Sequence, residues 1–267
     1  MDSAWLQLPS LIPAQHALAG MLLIGLVGWW VARNQSNVNL VDSLWPVYFL
    51  LALVLYALEA SDPGPRFLPV VALLLAWAMR LGLHLAVRNQ GKPEDWRYRA
   101  MRERHGPSFA WKSLFIVFWL QAGIAWIVAM PLFVATTSPA PLNGLDWAGV
   151  VLVLFGLVFE SVADRQLTRF RARPGNDGRV MDQGLWRFSR HPNYFGEACV
   201  WWGFGLLGLG AGSIWALVSP LLMTWLLLRV SGVALLEAGM ANRRPAYADY
   251  MRRTSAFLPW PPRRRAQ

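Results

Sequence analysis

The sequence predicts an all-α polytopic membrane protein, a bundle of seven transmembrane helices with its N-terminus outside and its C-terminus in the cytosol. Three observations predict it. Of the 267 residues, 55% are hydrophobic and 16 are Trp, and the mean hydropathy is positive, unlike a charge-rich soluble domain of this size. The apolar runs are long enough for the roughly 20 helical residues that cross a hydrocarbon core of about 30 Å. The Arg and Lys residues fall in alternate connections, which the positive-inside rule assigns to the cytosol.

The first run, 14–32, lacks a basic leader and ends in "GWWVARNQ" without a small-residue cleavage site, so it reads as a retained helix rather than a signal peptide. The second, 38–58, and the third, 67–87, are joined by the outer turn "SDPGPR" (61–66), whose Pro, Gly and Ser leave no room for an external domain. Residues 88–112 carry Arg88, Lys92, Arg97, Arg99, Arg102, Arg104 and Lys112 before the fourth run, 113–136. The outer turn "TTSPAPLNG" (136–144) leads to the fifth, 144–163, and residues 164–193 are Arg-rich again. A short sixth run, 194–209, a seventh, 213–236, and a basic tail complete the chain, which is expected to form one integral membrane domain over 1–267. The N-terminus and the even-numbered connections hold only Arg66, a sign pattern that six or eight spans would scramble.

The net charge of +10 would suggest nucleic acid in a soluble chain. Confined to one side of a membrane, it fits topology and attraction to anionic lipid instead, so no nucleic-acid partner is expected. The single Cys199 excludes an intramolecular disulfide, and His16, His84, His105 and His191 are too dispersed for a metal site. The segments 88–112 and 164–193 exceed what a turn requires and alternate Arg with aromatics, Gly and Pro, which favours an ordered surface facing a ligand.

Ionisable residues inside spanning helices are functional candidates because burying them is costly. They are Asp42, Arg80, His84, Glu160, Glu197, Arg229 and Glu237, with Asn37 and Asn39 beside them. Arg80 and His84, Glu160 and Asp164, and Asn193 and Glu197 are each four apart, so each pair shares a helix face. Together they read as one polar cavity open to the cytosol. The competing explanation is a lipid-binding or scaffold bundle whose charges only pair, which predicts no nucleotide binding.

In "GLWRFSRHPNYFGE" (184–197), Pro192 suits the first turn of a helix, where its missing N–H costs nothing. The N–H groups of Asn193, Tyr194 and Phe195 would then face an anion, with Arg187, Arg190, His191, Arg171 and Arg173 beside it. Two cofactors suit such a place: a nicotinamide dinucleotide phosphate, favoured by the Arg density, and S-adenosylmethionine. "GFGLLG" (203–208) matches a dinucleotide fingerprint, but it lies inside an apolar run rather than between strand and helix, so its glycines are expected to serve helix packing.

The stretch "ESVADRQLTRFRARP…DQGLWRFSRHPNYFGEACVWWG" (160–203) resembles the C-terminal domain of the steroid 5α-reductase family, in particular its bacterial branch. "NVNLVDSLWPVYF" (37–49) and "RLGLHLAVRNQGKPEDWRY" (80–98) are similar to the N-terminal motifs of that branch. The resemblance implies a seven-helix membrane fold with NADPH near the cytosolic face. It implies cofactor contacts at Asp164, Arg171, Asn193 and Glu197, and also at Arg80 and Tyr98, with Glu160, Arg190, His191 and Glu237 beside them. Glu160 and Thr168 stand where the animal steroid enzymes have Asn and Arg. The implied reaction is hydride transfer to C5 of a 3-oxo-Δ4 steroid with protonation at C4, a step in steroid and lipid metabolism.

An enone is reduced faster when its carbonyl oxygen is hydrogen-bonded, because charge moves onto that oxygen in the transition state. The relatives use a Glu and a Tyr, and the corresponding positions here are Asp42 and Trp77. An Asp among apolar neighbours can stay protonated and donate, so Asp42 is the expected polarising acid, with Tyr48 or His84 assisting and capping or Arg pairing as its alternative role. The membrane isoprenylcysteine and phospholipid methyltransferases, which use S-adenosylmethionine, resemble the last third of the chain through "RHPNYFGE", Glu237, Tyr247, Tyr250 and Pro259. The Asp164 to Arg171 segment and the N-terminal motifs favour the reductase. The expected partners are a lipophilic small molecule entering from the bilayer and membrane lipid, with no obligate protein partner. With 23 Arg against two Lys, the expected location is a bacterial inner membrane.

Overall fold

The computed structural model describes residues 11–60, 63–230, 232–240 and 245–263. Helices supply the regular structure of these residues, and no strand forms among them beyond an isolated bridge between Ser189 and Ser255. Six stretches are long and apolar enough to cross a membrane: Ile12–Asn34, Leu40–Glu59, Phe67–Asn89, Trp96–Thr137, Gly144–Arg171 and Ile214–Glu237. These are the marks of an integral membrane protein. The sixth run of the sequence forms a 19-residue helix, Pro192–Gly210, that falls outside this group because Asn193 and Glu197 interrupt its first two turns.

The chain forms two compact units, one of residues 1–146 and 207–218, the other of 147–206 and 219–267. In the first, α1 (Ile12–Asn34) lies against α2 (Leu40–Glu59), which lies against α3 (Phe67–Asn89). Ala14, Ala17, Met21, Gly25, Gly28 and Ala32 recur every three or four residues on the buried face of α1. Without hydrophobic drive between helices in lipid, such small residues permit the close approach that dispersion rewards. A Cβ on Gly28 would lie 2.4 Å from the Leu44 side chain.

The basic segment 88–112 is largely helical rather than a loop. Asp95 caps α4 (Trp96–His105) by accepting the Arg97 N–H, and Gly106, at φ 56°, ends it. The fourth run continues as α5 (Phe109–Ser113), a π-helical turn at Leu114–Trp119, α6 (Leu120–Val128) and α7 (Met130–Thr137), which begins at the Pro131 break. Three indole N–H groups tie this stretch to α1: Trp29 donates to the Ala110 carbonyl, Trp119 to Leu22 and Trp126 to Ala14.

Arg66, the lone outer cation of the sequence, is fully buried. It forks onto Asp146 at 2.7 and 2.8 Å and reaches the carbonyls of Ala140, Pro141 and Gly210 at 2.6–2.9 Å. Residues of three connections therefore meet at one guanidinium.

In the second unit α8 (Gly144–Arg171) and α9 (Pro192–Gly210) run in backbone contact. A Cβ on Gly156 would meet the Gly196 carbonyl at 2.6 Å, and one on Gly203 would lie 2.5 Å from Val153 and 2.7 Å from the Gly149 carbonyl. The first glycine of "GFGLLG" is thus a packing residue. α10 (Val218–Trp225) passes through a π turn at Leu226–Val230 to α11 (Val233–Met240), and α12 (Pro245–Arg253) leads to the tail. Arg243 and Arg244 of the expected basic tail lie outside the described residues, as do Arg264 and Arg265.

Candidate functional site

Four of the predicted cofactor residues come together on α8 and α9. Asn193 donates to Asp164 at 3.2 Å, and one turn along α9 the missing side chain of Gly196 lets its backbone approach Glu160, whose Cβ would lie 2.7 Å from an added one. Glu197 accepts the Trp201 indole N–H at 3.0 Å. Glu160, Asp164 and Glu197 are all buried. Three buried carboxylates and a half-buried carboxamide thus line up along these two helices, a seam rich in groups able to accept from hydroxyl and amide N–H donors. Arg171, in the last turn of α8, is exposed at the end of that helix.

The stretch before α9 is held in place from both sides within the second unit. Gly184, at φ 58°, packs against the Gln166 side chain, which accepts the Leu185 N–H at 2.9 Å, and the Trp186 indole donates to Ala163. Arg190 is buried, with its fork on Glu237 at 2.6 and 2.9 Å and its remaining nitrogen on the carbonyls of Met251 and Thr254 at 2.9 and 2.5 Å. His191 reaches the same carboxylate at 3.1 Å and stacks on Tyr194. The Tyr250 hydroxyl donates to the Trp186 and Ser189 carbonyls, and the Ser189 hydroxyl to that of Phe257. Burial, reinforced by the nearby Glu237, pushes the Tyr247 phenol up to about 12, so it stays protonated.

Arg190 and His191, expected at a cofactor anion, and Glu237, expected among the cofactor contacts, are thus engaged with one another, and Arg190 also with the tail. The N–H of Phe195, also expected at the anion, donates to the His191 carbonyl at 3.2 Å. This clasp takes the place of the anion site expected from the sequence. Its signal was there, because "RH" and the later Glu, Tyr and Pro are the residues shared with the methyltransferase pattern, but their partners are 46 or more residues apart.

In the first unit, Asp42 stands in the first turn of α2 as an acceptor: Tyr98 donates to it at 2.7 Å, and Arg88 and Arg97 lie at 3.3 and 3.5 Å. This is the Arg-paired arrangement rather than a carboxyl among apolar side chains. Asn39 accepts the Asp95 N–H and donates to Pro93, while Glu94 accepts the Val38 N–H and holds the Arg102 fork, so two separate motifs lock together. Burial raises the Asp95 carboxyl, but the bonds and charge of Arg97 more than offset this and hold it below the usual carboxylate range.

The Arg88 contact to Asp42 and the edge-on packing of Trp77 against Phe49, with centroids 5.2 Å apart, mark one face of α3 turned to α2. Arg80 and His84, at three and four residue spacings between those two, share that face. Tyr48 does not: it is buried with its hydroxyl 3.5 Å from the Phe118 carbonyl.

Residues 28–254 match the family described as protein of unknown function, DUF1295. The chain belongs to the DUF1295 family. The DUF1295 match spans both the α2 to α4 motifs and the α8 to α12 seam and clasp. An uncharacterized protein of Schizosaccharomyces pombe is 26% identical, across 91% of this chain and 79% of its own length. No solved structure matches this DUF1295 member significantly.

Proposed function

We propose that the protein is an NADPH-dependent reductase of a lipophilic enone, with a 3-oxo-Δ4 steroid as the substrate class implied by the resemblance to the steroid 5α-reductases. The observation that carries this is the seam of Glu160, Asp164, Asn193 and Glu197, where buried acceptors converge on two helices held together by glycine. Ribose hydroxyls and a nicotinamide amide supply the matching donors, so the residues present fit the cofactor. Arg171 would take a phosphate, and the resemblance implies further contacts at Arg80 and Tyr98. Arg190 holds the clasp instead.

Bound, NADPH supplies the hydride that the alkene takes up. The protein's own part is to position the nucleotide, exclude water and donate to the carbonyl oxygen as charge develops there. We assign that donation to His84, on the α3 face it shares with Trp77 and Arg80. Asp42 acts as a positioning residue through Arg88 and Tyr98.

The same proposal has seven spans with the N-terminus outside, in a bacterial inner membrane. Helix α9, at 19 residues and about 28 Å, is long enough to cross. Arg66, Ala140, Pro141, Asp146 and Gly210, all of them ends of the predicted outer connections, meet at one point, which supports that crossing.

The test is NADPH consumption by purified protein in lipid, dependent on an added 3-oxo-Δ4 steroid. Asn193→Ala and Glu197→Gln are expected to abolish NADPH binding. His84→Phe is expected to keep binding and to lower turnover by about a hundredfold, the usual scale of a lost acid. Normal turnover by His84→Phe would sink the donor assignment, and binding of S-adenosylmethionine without NADPH would replace the reductase by a methyltransferase.

A further inference from the structure

A polar cavity lies in the first unit, lined by none of the residues assigned to binding or reduction. It has a volume of about 210 Å³ and is lined by Ala32, Arg33, Ser36, Val38, Arg102, Phe109, Ala110 and Ser113. Its walls are the C-terminal turn of α1, the bend after it and the start of the fourth run. Ser36 holds this bend open at φ 52°, a left-handed conformation that a non-glycine residue seldom adopts.

The cavity has an excess of donors. Arg102 spends its Nε and one terminal nitrogen on Glu94 and the Ser36 carbonyl, at 2.7–3.3 Å, which leaves the two N–H groups of the other terminal nitrogen unassigned. Arg33 has no carboxylate among the described residues and only lies over the Trp29 ring, 5.5 Å from its centroid. With Glu94 offsetting Arg102, the charge of Arg33 has no counter-ion among the described residues.

The surroundings are those of a membrane interface. Trp30 and Trp111 are 60% and 55% exposed, and Lys112 lies over Trp111. Trp belts of this kind mark the headgroup level. Trp111, Phe115 and Trp119 stack edge to face in a strip at four-residue spacing, with centroids 6.1 and 5.0 Å apart, and Phe115 is 48% exposed. The strip starts beside the cavity wall, at Trp111 between Ala110 and Ser113, and follows the apolar fourth run, with Trp111 and Phe115 exposed along it.

We propose that this cavity is a binding site for one anionic glycerophospholipid, its phosphate held by Arg33 and the free edge of Arg102 and its acyl chains laid along Trp111, Phe115 and Trp119. The strip is what selects a lipid over a free phosphate, which would need only the cavity.

Native mass spectrometry of the full chain, released from micelles supplied with equal phosphatidylglycerol and phosphatidylcholine, tests this. The expected result is one retained phosphatidylglycerol per chain, reduced about fivefold by Arg33→Gln, the weight of one interfacial cation. Arg252→Gln removes the same charge from an arm that is 73% exposed elsewhere and should leave retention unchanged. Equal retention of the two lipids, equal loss in both variants, or displacement of the lipid by millimolar inorganic phosphate would each overturn the proposal.

Discussion

At the residue scale, buried charged groups differ in what the sequence could reveal. Arg66 and Asp146 are 80 residues apart, each in a turn rich in Pro and Gly, and neither shows any pattern until the fold joins them. Removing one member of a buried pair leaves the other charge uncompensated, at about 3–5 kcal/mol. Arg66→Met should therefore lower the thermal midpoint sharply in detergent, and a midpoint equal to wild type would show that Asp146 finds water instead. The carboxylates at 160, 164 and 197, by contrast, were legible because acids in apolar helices are rare and their spacing fixed their faces. Asp42 was legible as a site residue but not as an ion pair, since Arg88 reaches it from the end of α3 and Arg97 and Tyr98 from α4, a helix that the sequence does not announce.

At the element scale, composition revealed the spanning runs and concealed what interrupts them. The segment 88–112 read as a loop because Arg and Glu dominate it, yet the Asp95 cap and the ties from Asn39 and Glu94 make its middle helical. Losing such a cap costs about 1 kcal/mol. Because folding lowers the Asp95 pKa, this contribution is present above the ordinary carboxylate value of about 4 and is lost as pH falls through the folded value. Hydrogen exchange in α4 should rise in Asp95→Ala at neutral pH and converge with wild type in acid. A difference that persists in acid would contradict the cap. The glycines of "GFGLLG" in α9 were expected to serve packing, and Gly203→Val should cost about 1–3 kcal/mol by forcing backbones apart. A stable variant that keeps its fold would mean the helices can separate freely.

At the scale of the whole molecule, charge alternation predicts the side on which each connection lies, and the proposed seven-span topology can be tested one connection at a time. An impermeant maleimide added to intact cells should label Leu142→Cys and Ile214→Cys, each in a Cys199→Ser background, and should spare Asp177→Cys. Protection of position 214 would mean that α9 does not cross. The tail clasp around Arg190 was the largest feature hidden from the sequence, because its bonds run mostly to backbone carbonyls, which have no residue signature.

If the seam on α8 and α9 holds a nicotinamide dinucleotide phosphate, as proposed, that ligand must stabilise the folded protein. Thermal stabilisation of the solubilised protein by NADPH, NADH and S-adenosylmethionine, measured side by side, tests it most directly. A ligand at a hundred times its dissociation constant adds about 2.7 kcal/mol to the folded state. The account predicts a rise with NADPH, a smaller one with NADH, none with S-adenosylmethionine, and none with any ligand in Asn193→Ala. Stabilisation by S-adenosylmethionine alone, or an NADPH effect that survives Asn193→Ala intact, would contradict it.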